Sequence, residues 1–583
     1  MAGDFRFSPR ENRAAEIQWR PWGAEAFAEA EAEDRPIFLN LTADWCHFCH
    51  GMDEETFSAT PVIRLLNERL LPVRVDADRL PHVRDRYISG GWPTNAFLTP
   101  AGDVLWSGTS VGDQRLMVVA EQVLDAWANR RAELLEEIER RQRALSAARS
   151  RRAAVGLVRR EPADDVLTAL QDSFDARNGG FGGEPKFPPG EAIEHLYIQA
   201  GAHGSDAWVE MADRTLDGIL AGELRDPVEG GFFRYALQAD WTEPRYEKLL
   251  GTNAELLQAY ALGARVRGRD DWRAVAEETV AWVERTLALP GGLWAASQAA
   301  DPDYYTADAS AREAMAAPRI DATLFADANA AWIRALATAG AGLGEARWVS
   351  RAAEALEPLL DALSDADGEL HHYRDDGGPP RVPGLATDLL EAAQACIALA
   401  QATGEPRFLR RARSLARTME ARLWQDDGGF LDFAADGPAL GALRYPDRPF
   451  DVNAAAARLM VDLSLATGER KYRALAERIL AVLSPLAGRY GPAAAGFASA
   501  VEEFFETPPR VILVGDPRDT AELRRAALAL PLPDRRVWTL PEGGALGSRH
   551  FDPGAAPAAF LCDGQDATGP LRTPEELSAA AGA

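Results

Sequence analysis

Six glycine-containing breaks divide residues 160–505 into long segments, and they constrain the fold more than any other feature of the chain. The segments between them have apolar residues at helical spacing, and the breaks recur at intervals of roughly 50 to 75 residues. Such a period is typical of a repeated supersecondary unit, here one helical hairpin per repeat. Twelve helices that close on themselves would form an (α/α)6 toroid, and an open helical solenoid is the alternative. The breaks are Gly179-Gly180-Phe181, Gly230-Gly231-Phe232, Gly291-Gly292-Leu293, Gly368-Glu369-Leu370, Gly428-Gly429-Phe430 and Gly496-Phe497.

A second pattern precedes the repeats. Cys46 and Cys49 have C-x-x-C spacing, after the apolar, β-prone residues 35–42 and before the helix-like residues 51–71. Cys46 would therefore lie at a helix N-terminus, where partial positive charge favours a thiolate. Further along, Trp92-Pro93 is followed by two short strand-like stretches, an order that resembles the cis-proline and last two strands of a thioredoxin fold.

The rest of the chain completes a three-domain prediction. Residues 110–160 have helical spacing and would form a terminal thioredoxin helix that runs into a connector. From residue 506 onward strand signals return, as in Arg510-Val511-Ile512-Leu513-Val514. The fold class is therefore multidomain α/β plus all-α: a thioredoxin-like domain over 1–155, an (α/α)6 toroid over 156–505 and a small α/β appendage over 506–583.

Composition restricts the partners. The chain has 583 residues, 47% of them hydrophobic, which is enough for a large core, and a formal net charge of -26. This charge argues against nonspecific binding to nucleic acid or to an anionic membrane, because both need clustered Lys and Arg. The first residues lack the apolar core of a signal peptide, and no run of about 18 apolar residues occurs. We therefore expect a cytoplasmic protein whose partners are proteins or small molecules.

The cysteine pair predicts thiol–disulfide chemistry. Cys46 would be the exposed attacking thiolate and Cys49 the more buried resolving thiol, while His47 between them can stabilise the thiolate. In thioredoxins a buried Asp precedes the first cysteine by six residues and helps transfer a proton to or from the resolving thiol. Asn40 has that spacing here and cannot titrate, so general reductase turnover should be impaired. A cis Pro93 would present the backbone of Trp92 to an extended substrate, and Trp45, directly before Cys46, is a further supporting residue of the predicted redox site.

Three alternatives remain for this motif. Cys46-His47-Phe48-Cys49-His50 has the pattern of c-type haem attachment, although that reaction normally needs an exposed loop. Cys46, Cys49 and His50 could bind zinc, with His82 as a fourth ligand. The pair could also be a fold marker that does not turn over. The prediction that we carry forward has no metal and no cofactor.

The toroid offers a second group of candidates. Helical toroids of this kind resemble N-acylglucosamine 2-epimerases, sugar isomerases and several glycosidases, in which ionisable side chains of inner helices project into one cavity. Epimerisation would need an acid/base pair such as His195 and His371, and glycosidic cleavage would need two carboxylates such as Asp240 and Glu247. The alternative is that these groups only hold the helices together. The candidate residues are Lys186, His195, Arg234, Tyr235, Asp240, Trp241, Arg245, Glu247, Lys248, Asn253, His371 and Asp451.

Lysine usage singles out two of these candidates. Of 63 basic residues only Lys186, Lys248 and Lys471 are lysines, so arginine was accepted nearly everywhere else. The two lysines in motif-like stretches are therefore predicted to need an ammonium group at their positions, with chance retention as the alternative.

The order of these modules resembles a family of thioredoxin-domain proteins with a C-terminal six-hairpin toroid, the spermatogenesis-associated protein 20-like family. The resemblance implies the fold and the redox module, and it names no substrate. Arg245 stands where the family usually has histidine, residues after Gly292 lack the usual acidic run, and only Cys562 remains of a C-terminal cysteine pair. The motifs that carry the resemblance are WCHFCHGMDEETF, GGWPTNAFLTP, GGFGGEPKFP, RYEKLLGTNAELLQAY, RVILVG and FLC.

These observations together predict a thiol–disulfide redox protein, acting on a protein partner, whose toroid binds a sugar-like or other polar ligand. One alternative is a sugar epimerase or isomerase with a redox-responsive N-terminal domain. The other is a noncatalytic scaffold in which both modules bind partners.

Overall fold

The computed structural model describes residues 5–152, 157–434, 439–547, 549–555, 557–564 and 566–582. They form two compact units. The first comprises Met1–Arg152 with Ala299–Asp301 and Asp432–Asp447, and the second comprises Ala153–Gln298, Pro302–Leu431 and Arg448–Ala583. The predicted boundary at residues 155 and 156 lies outside the described residues, so the three-domain division stays a prediction. No helix among the described residues is long and apolar enough to cross a membrane.

The first unit has a thioredoxin-like fold, as predicted. Its four strands lie in the order Leu71–Asp76, Ile37–Thr42, Thr94–Leu98 and Val104–Gly108. The first two strands are parallel, and the other neighbours are antiparallel. All six residues of Ile37–Thr42 are buried because helices cover both faces of the sheet. The helices are Ala24–Ala32, His47–Glu54, Thr60–Arg69, Pro81–Tyr87, Asp113–Asn129 and Arg131–Arg152, with 3-10 turns at Ala14–Glu16 and Gly441–Arg444.

The second unit contains a closed ring of six inner helices. Each inner helix contacts the next one in the chain, and the sixth contacts the first, so the ring is a toroid and not an open solenoid. Alanine is frequent on these helices, and its small side chain allows an inner helix to be buried on most of its circumference. In chain order the inner helices are Gly190–His203, Leu250–Arg267, Ala326–Leu343, Ala386–Thr403, Phe450–Thr467 and Ala495–Phe505.

Six outer helices complete the hairpins. Five of them follow an inner helix directly: Asp206–Ala221, Asp270–Thr286, Ala346–Leu363, Pro406–Leu423 and Arg470–Leu483. The sixth, Glu161–Ser173, precedes all the inner helices in sequence but packs against Ala495–Phe505. The two ends of the repeat region therefore meet and close the ring.

Glycines with left-handed backbone mark the repeats at both ends of the hairpins. Five of the predicted breaks contain such glycines, for example Gly179 with φ 73° and Gly180 with φ 82°. The sixth prediction is wrong, because Gly496 lies inside the last inner helix, where a Cβ would be 2.6 Å from the Glu191 carboxylate. The first five inner helices each end on a left-handed glycine, which lacks the steric penalty that a Cβ would bring. These C-cap residues are Gly204, Gly268, Gly344, Gly404 and Gly468.

Short elements connect the hairpins at the N-terminal ends of the inner helices. The two-residue to four-residue strands there are Tyr235–Ala236, Pro244–Arg245, Lys248–Leu249, Ala288–Leu289, Leu293–Trp294, Ser297–Gln298, Ile320–Asp321, Leu324–Phe325, His371–Arg374 and Arg381–Pro383. Short helical turns are Pro302–Tyr305, Ala309–Glu313, Ser484–Arg489 and Gly491–Ala494.

The end of the second unit is a small α/β sheet, also as predicted. Its strands lie in the order Arg536–Leu540, Arg510–Val514, Ala558–Asp563 and Asp566–Leu571. The first pair is parallel and the other two are antiparallel, so strand order and directions repeat those of the N-terminal sheet. The helices Ala521–Ala529 and Pro574–Ala580 accompany it, together with the strand pair Ala545–Leu546 and Arg549–His550.

Candidate functional site

A disulfide joins Cys46 to Cys49 at the start of the helix His47–Glu54. Cys46 is the N-cap residue of this helix, and its Sγ accepts a hydrogen bond from the Cys49 backbone N–H at 3.1 Å. The helix follows the central strand Ile37–Thr42 after a short turn, which is the strand-to-helix junction that the sequence predicted. The first sulfur of the pair therefore lies at the positive end of a helix dipole.

Both cysteines are buried. Cys46 and Cys49 are each 2% exposed, so the expectation that Cys46 is the more accessible sulfur is wrong for this state of the molecule. Ala300, from the short segment that belongs to the same unit, donates its N–H to the Trp45 carbonyl at 3.3 Å. The outward side chain of the motif is Phe48, which is 41% exposed.

Trp45 and Trp92 join the cysteine segment to the segment of the cis proline. Their ring centroids are 5.7 Å apart in an edge-on arrangement. The Trp45 indole N–H also donates to Asp78 Oδ2 at 2.6 Å. The Trp92-Pro93 peptide bond is cis. His47, between the cysteines, is partly buried, with its ring 5.8 Å from that of Phe48.

Asn40 gives the central strand a buried amide next to the site. Its Nδ2 donates to Asn95 Oδ1 at 3.0 Å, and Asn95 donates in turn to the Thr109 carbonyl at 3.0 Å. Asn40 is 1% exposed, and its Oδ1 has no hydrogen-bond donor within the described part of the chain. The position that carries a proton-transferring Asp in thioredoxins is thus polar and buried, but it has no ionisable group.

A buried ion pair that the sequence did not reveal holds the helix that follows Cys46. Arg74 donates through two nitrogens to the Asp53 carboxylate at 2.8 and 2.9 Å, and the Ser8 N–H donates to the same carboxylate at 3.0 Å. Burial raises the pKa of Asp53, and the charge of Arg74 opposes that rise. Because Asp53 lies on the helix of the cysteines and Arg74 on the strand Leu71–Asp76, the pair fixes the helix against the sheet.

Lys186 and Lys248, two of the toroid candidates, make the same contacts in successive repeats. Lys186 Nζ donates to Asp175 at 2.6 Å and to the Gly179 carbonyl at 2.5 Å. Lys248 Nζ donates to Asp226 at 2.7 Å and to the Gly230 carbonyl at 2.8 Å. Both lysines are buried, and each ammonium group ties an aspartate in the loop after an outer helix to the first left-handed glycine of the same loop.

Asn253 also belongs to a repeated structural contact. Its Oδ1 accepts from the Phe232 N–H at 2.8 Å, and its Nδ2 donates to the Phe232 carbonyl at 3.1 Å. Asn329 makes the same two contacts with Trp294, and Asn453 makes them with Phe430. Each Asn is the fourth residue of an inner helix. It binds the backbone of the first or second residue after a glycine pair.

The remaining predicted residues are distributed over several repeats. His195 is buried between inner helices, with Nδ1 3.1 Å from Ser499 Oγ, and burial lowers its pKa to about 4. His371 Nε2 lies 3.0 Å from Asp365, in a different repeat. Arg234 pairs with Glu247 at 3.1 Å, and Trp241 is buried with its indole N–H on the Asn178 carbonyl. Tyr235 stacks on Phe187, and its backbone pairs with that of Arg245 in a two-residue strand ladder. Asp240 accepts from the Thr242 hydroxyl in an exposed turn. Asp451 is exposed near the start of an inner helix.

Glu255 is an ionisable residue of this region that the sequence did not single out. It lies on the second inner helix, accepts from the Gly190 N–H at 2.8 Å, and is partly buried. Burial raises its pKa to about 7, although the Gly190 hydrogen bond opposes the rise. Glu191, whose charge contributes to that rise, and Asp451 are both exposed second residues of inner helices. The sequence signal that could have pointed to Glu255 is the presence of acidic residues near the starts of several inner helices.

Comparison with known families supports the first unit. The family model Thioredox_DsbH, described as a protein of unknown function, DUF255, matches residues 9–146. Spermatogenesis-associated protein 20 of Mus musculus is 32% identical over 313 residues, and the human protein of that name is 32% identical over 316 residues. Each match covers 49% of this chain and 39% of the relative, so the chain matches about two-fifths of the length of these proteins. The predicted resemblance to this thioredoxin-domain family is confirmed.

Solved structures resemble the toroid at low sequence identity. A cellobiose 2-epimerase from Bacillus thermoamylovorans has a TM-score of 0.48 and 12% identity, covering 59% of this chain and 97% of that structure. A D-mannose isomerase has a TM-score of 0.48 and 14% identity, covering 59% of this chain and 96% of that structure.

Proposed function

We propose that this chain exchanges thiols and disulfides through Cys46 and Cys49. The supporting observation is the position of the pair, a disulfide at the first turn of the helix that follows the central strand of a thioredoxin-like sheet. A reduced Cys46 at this place has its thiolate stabilised by the helix N-terminus and by the Cys49 amide that already contacts Sγ. Stabilisation of the thiolate favours the reduced form, so the pair acts as an oxidant of protein dithiols.

The exchange proceeds in two displacements. A thiolate of the substrate protein attacks Cys46 Sγ, the Cys46–Cys49 bond breaks, and Cys49 leaves as a thiolate. The second substrate thiolate attacks the substrate sulfur of the mixed disulfide and releases Cys46 as a thiolate. Two electrons have then passed from the substrate dithiol to the cysteine pair, and the two substrate protons pass to solvent or to the released thiolates.

A redox titration tests this proposal. The purified protein is equilibrated with mixtures of reduced and oxidised glutathione, quenched by alkylation, and weighed by mass spectrometry. We expect Cys46 and Cys49 to become alkylated together in a single two-electron transition, as thiol pairs of this kind do. Cys396→Ser is the matched control, because Cys396 is a buried free cysteine in a toroid helix, and it should leave the transition unchanged. A pair that stays oxidised over the whole series, or that opens only after unfolding, would rule out exchange.

A trapping experiment tests the roles of the two sulfurs. The test uses the reverse reaction, in which the Cys46 thiolate attacks a substrate disulfide, releases one substrate thiolate and forms a mixed disulfide that Cys49 would normally resolve. Cys49→Ser removes the resolving sulfur, so these mixed disulfides should accumulate and disappear on reduction. Cys46→Ser should trap fewer of them, because the sulfur at the helix N-terminus is lost. Equal trapping by both variants would contradict the assignment of Cys46 as the sulfur that forms the mixed disulfide with the substrate.

The toroid carries a second candidate function, the binding of a polar, sugar-like ligand. The observation that favours it is the position of Glu255, which accepts from the N–H of Gly190 at 2.8 Å, at the start of the neighbouring inner helix that also carries Glu191. Burial raises the pKa of Glu255 to about 7, so its carboxyl group can donate as well as accept hydrogen bonds at neutral pH. Proton NMR of a sugar panel in heavy water tests it, since binding broadens ligand signals and epimerisation exchanges a C2 proton. Glu255→Gln should weaken any binding found. Exchange that survives Glu255→Gln but not His195→Gln or His371→Gln would favour the epimerase alternative.

A further inference from the structure

We propose that Asp327, His372 and Asp388 form a binding site for a divalent metal ion, with a donor set that favours Zn²⁺. One possible ligand atom from each residue lies within 4.8 Å of those of the other two. Asp327 is the second residue of the inner helix Ala326–Leu343, and Asp388 is the third residue of Ala386–Thr403. His372 comes from the strand His371–Arg374, which leads towards the second of these helices. The site is independent of the thiol–disulfide exchange proposed above.

An unsatisfied oxygen marks the site as more than a hydrogen-bonded pair. His372 Nδ1 lies 2.8 Å from Asp388 Oδ1, and both side chains are buried. The second oxygen, Asp388 Oδ2, is inaccessible to solvent and has no hydrogen-bond donor in the region that the structure describes. A buried carboxylate oxygen without a donor is costly, and such oxygens are rare unless an ion or water satisfies them. A metal ion would supply the missing interaction.

The charges of the site point the same way. At Asp226, the other fully buried toroid aspartate described above, Lys248 and Arg312 both donate to the carboxylate. The Asp388 carboxylate instead contacts the His372 ring, and Asp327 adds a second carboxylate to the cluster. Two carboxylates and one imidazole carry a net charge of -1 even when the imidazole is protonated. A divalent cation bound to a neutral imidazole brings the cluster to zero.

The donor atoms decide which metal fits. One imidazole nitrogen and two carboxylate oxygens are borderline donors that suit Zn²⁺, whereas Ca²⁺ takes six to eight oxygens and soft metals take thiolates. Zn–N and Zn–O distances near 2.1 Å place tetrahedral donors about 3.4 Å apart, so small side-chain movements within the 4.8 Å cluster suffice. Asp327 is only partly buried, which leaves one side of the cluster open for water or a ligand hydroxyl. Three protein ligands with an open position are the arrangement of catalytic zinc sites.

Metal analysis of the full chain tests the proposal. The starting protein is the double variant Cys46→Ser and Cys49→Ser, so that no thiol of the CxxC motif can bind the ion. After chelator treatment it is loaded with excess Zn²⁺, desalted and analysed for zinc, and the loading is repeated with Co²⁺ to record its visible spectrum. We expect about one ion per chain, and a Co²⁺ spectrum typical of nitrogen and oxygen ligands.

Variants assign the ligands. Loss of a residue that only hydrogen-bonds to a metal ligand typically weakens metal binding by ~10–100-fold. Asp388→Asn and His372→Gln each remove a proposed ligand and should weaken Zn²⁺ binding by more than this. His203→Gln, which removes an exposed histidine at the end of the first inner helix, is the matched control and should keep the ion. Circular dichroism shows whether each variant folds. If a substitution at buried His372 or Asp388 prevents folding, Asp327→Asn still tests the site, because Asp327 is the partly exposed ligand.

Two results would overturn the proposal. The first is a parent protein that retains no zinc, which would leave His372 and Asp388 as a hydrogen-bonded pair only. The second is zinc that is retained equally by folded Asp327→Asn, Asp388→Asn, His372→Gln and His203→Gln, which would place the ion elsewhere.

Discussion

Replacement of Lys248 by Met tests whether the repeated lysine contact holds the toroid together. Lys248 Nζ donates to Asp226 and to the Gly230 carbonyl, and three aromatic rings surround it at 4.9 to 5.2 Å. Methionine fills a similar length of space but provides no donor. The variant therefore leaves the Gly230 carbonyl without its donor and Asp226 with one cation fewer.

The expected loss of stability follows from the partners that remain. Burial pushes the pKa of Asp226 upward, but the hydrogen bond from Arg312 and the charge of Lys248 outweigh it and hold the pKa below its usual value. Breaking a buried ion pair costs about 3–5 kcal/mol when the second charge is left alone. Because Arg312 still donates to Asp226 at 2.9 Å, we place Lys248→Met at the lower end, about 3 kcal/mol.

Urea unfolding followed by far-ultraviolet circular dichroism measures this loss, because the toroid helices dominate the signal. Lys471→Met is the matched control. Lys471 is the remaining lysine of the chain, its side chain is 46% exposed and its nitrogen is 3.9 Å from Glu469, so its removal should cost within about 0.5 kcal/mol. A Lys248→Met loss no larger than that of Lys471→Met would refute the reasoning, since Arg312 alone would then suffice to hold Asp226.

Two further predictions concern the titration of His195 and the proposed disulfide exchange at Cys46 and Cys49. His195→Gln should remove a loss of stability that the parent shows between pH 6.5 and about 4, worth about 3 kcal/mol, because the buried ring has a folded pKa of about 4 and takes up its proton readily only after unfolding. Urea midpoints of both proteins at pH 7 and pH 4.5 measure this change. The raised pKa of Glu255 lowers stability as the pH rises from 4.5 to 7, but it does so in both proteins, so the difference between them reports His195. Midpoints that change by the same amount in both proteins would contradict the prediction. Asn40→Asp should cost about 1–3 kcal/mol, because it removes the donor to Asn95 Oδ1 at a buried position, and it should speed release of the mixed disulfide by supplying a titrating group. Insulin-disulfide reduction measures that rate, and an unchanged rate would show that the position does not exchange protons with Cys49.

The repeat could be predicted because its signals are local. A left-handed glycine, an apolar stripe and a helix boundary each depend on a few neighbouring residues, and Gly179, Gly230 and Gly291 therefore mark their breaks correctly. The break predicted at Gly496 was wrong because glycine also occurs where two helices approach closely, as Gly496 does beside Glu191. The glycines that end the inner helices, such as Gly204, are a more regular signal that the sequence analysis missed.

Closure of the ring could not be predicted residue by residue. The outer partner of the last inner helix is Glu161–Ser173, more than 320 residues earlier in the chain. Neither helix differs from its neighbours in periodicity, so nothing local identifies the pair. The buried Asp53–Arg74 pair was missed for the same reason, because its members are 21 residues apart on different elements.

The toroid candidates show how motif residues and site residues differ. Lys186, Lys248 and Asn253 were noticed because they lie in regular motifs, and regularity here arises from a contact that each repeat needs. Their equivalents, Asn329 and Asn453, carry the same signal in later repeats. The inner helix Ala386–Thr403, which carries Asp388, breaks this pattern. Its fourth residue is Leu389, which cannot make the two side-chain hydrogen bonds that Asn makes in three other repeats. Ile193 and Ala498 occupy that position in the first and sixth inner helices, so the fourth helix differs by the two buried ionisable side chains, His372 and Asp388, that it brings together and not by the missing Asn alone.

The two α/β sheets of the chain separate fold from chemistry. Both have the same strand order and directions, so topology alone would assign both the same activity. In the first, the residues after the central strand include Trp45 and Cys46 at a helix start; in the second, Gly515-Asp516-Pro517 follows the equivalent strand Arg510–Val514. The cysteine of the second sheet, Cys562, lies within a strand, and burial raises the pKa of its thiol. Because exchange requires a thiolate, the position of each cysteine, and not the shared topology, predicts redox chemistry at Cys46 and none at Cys562.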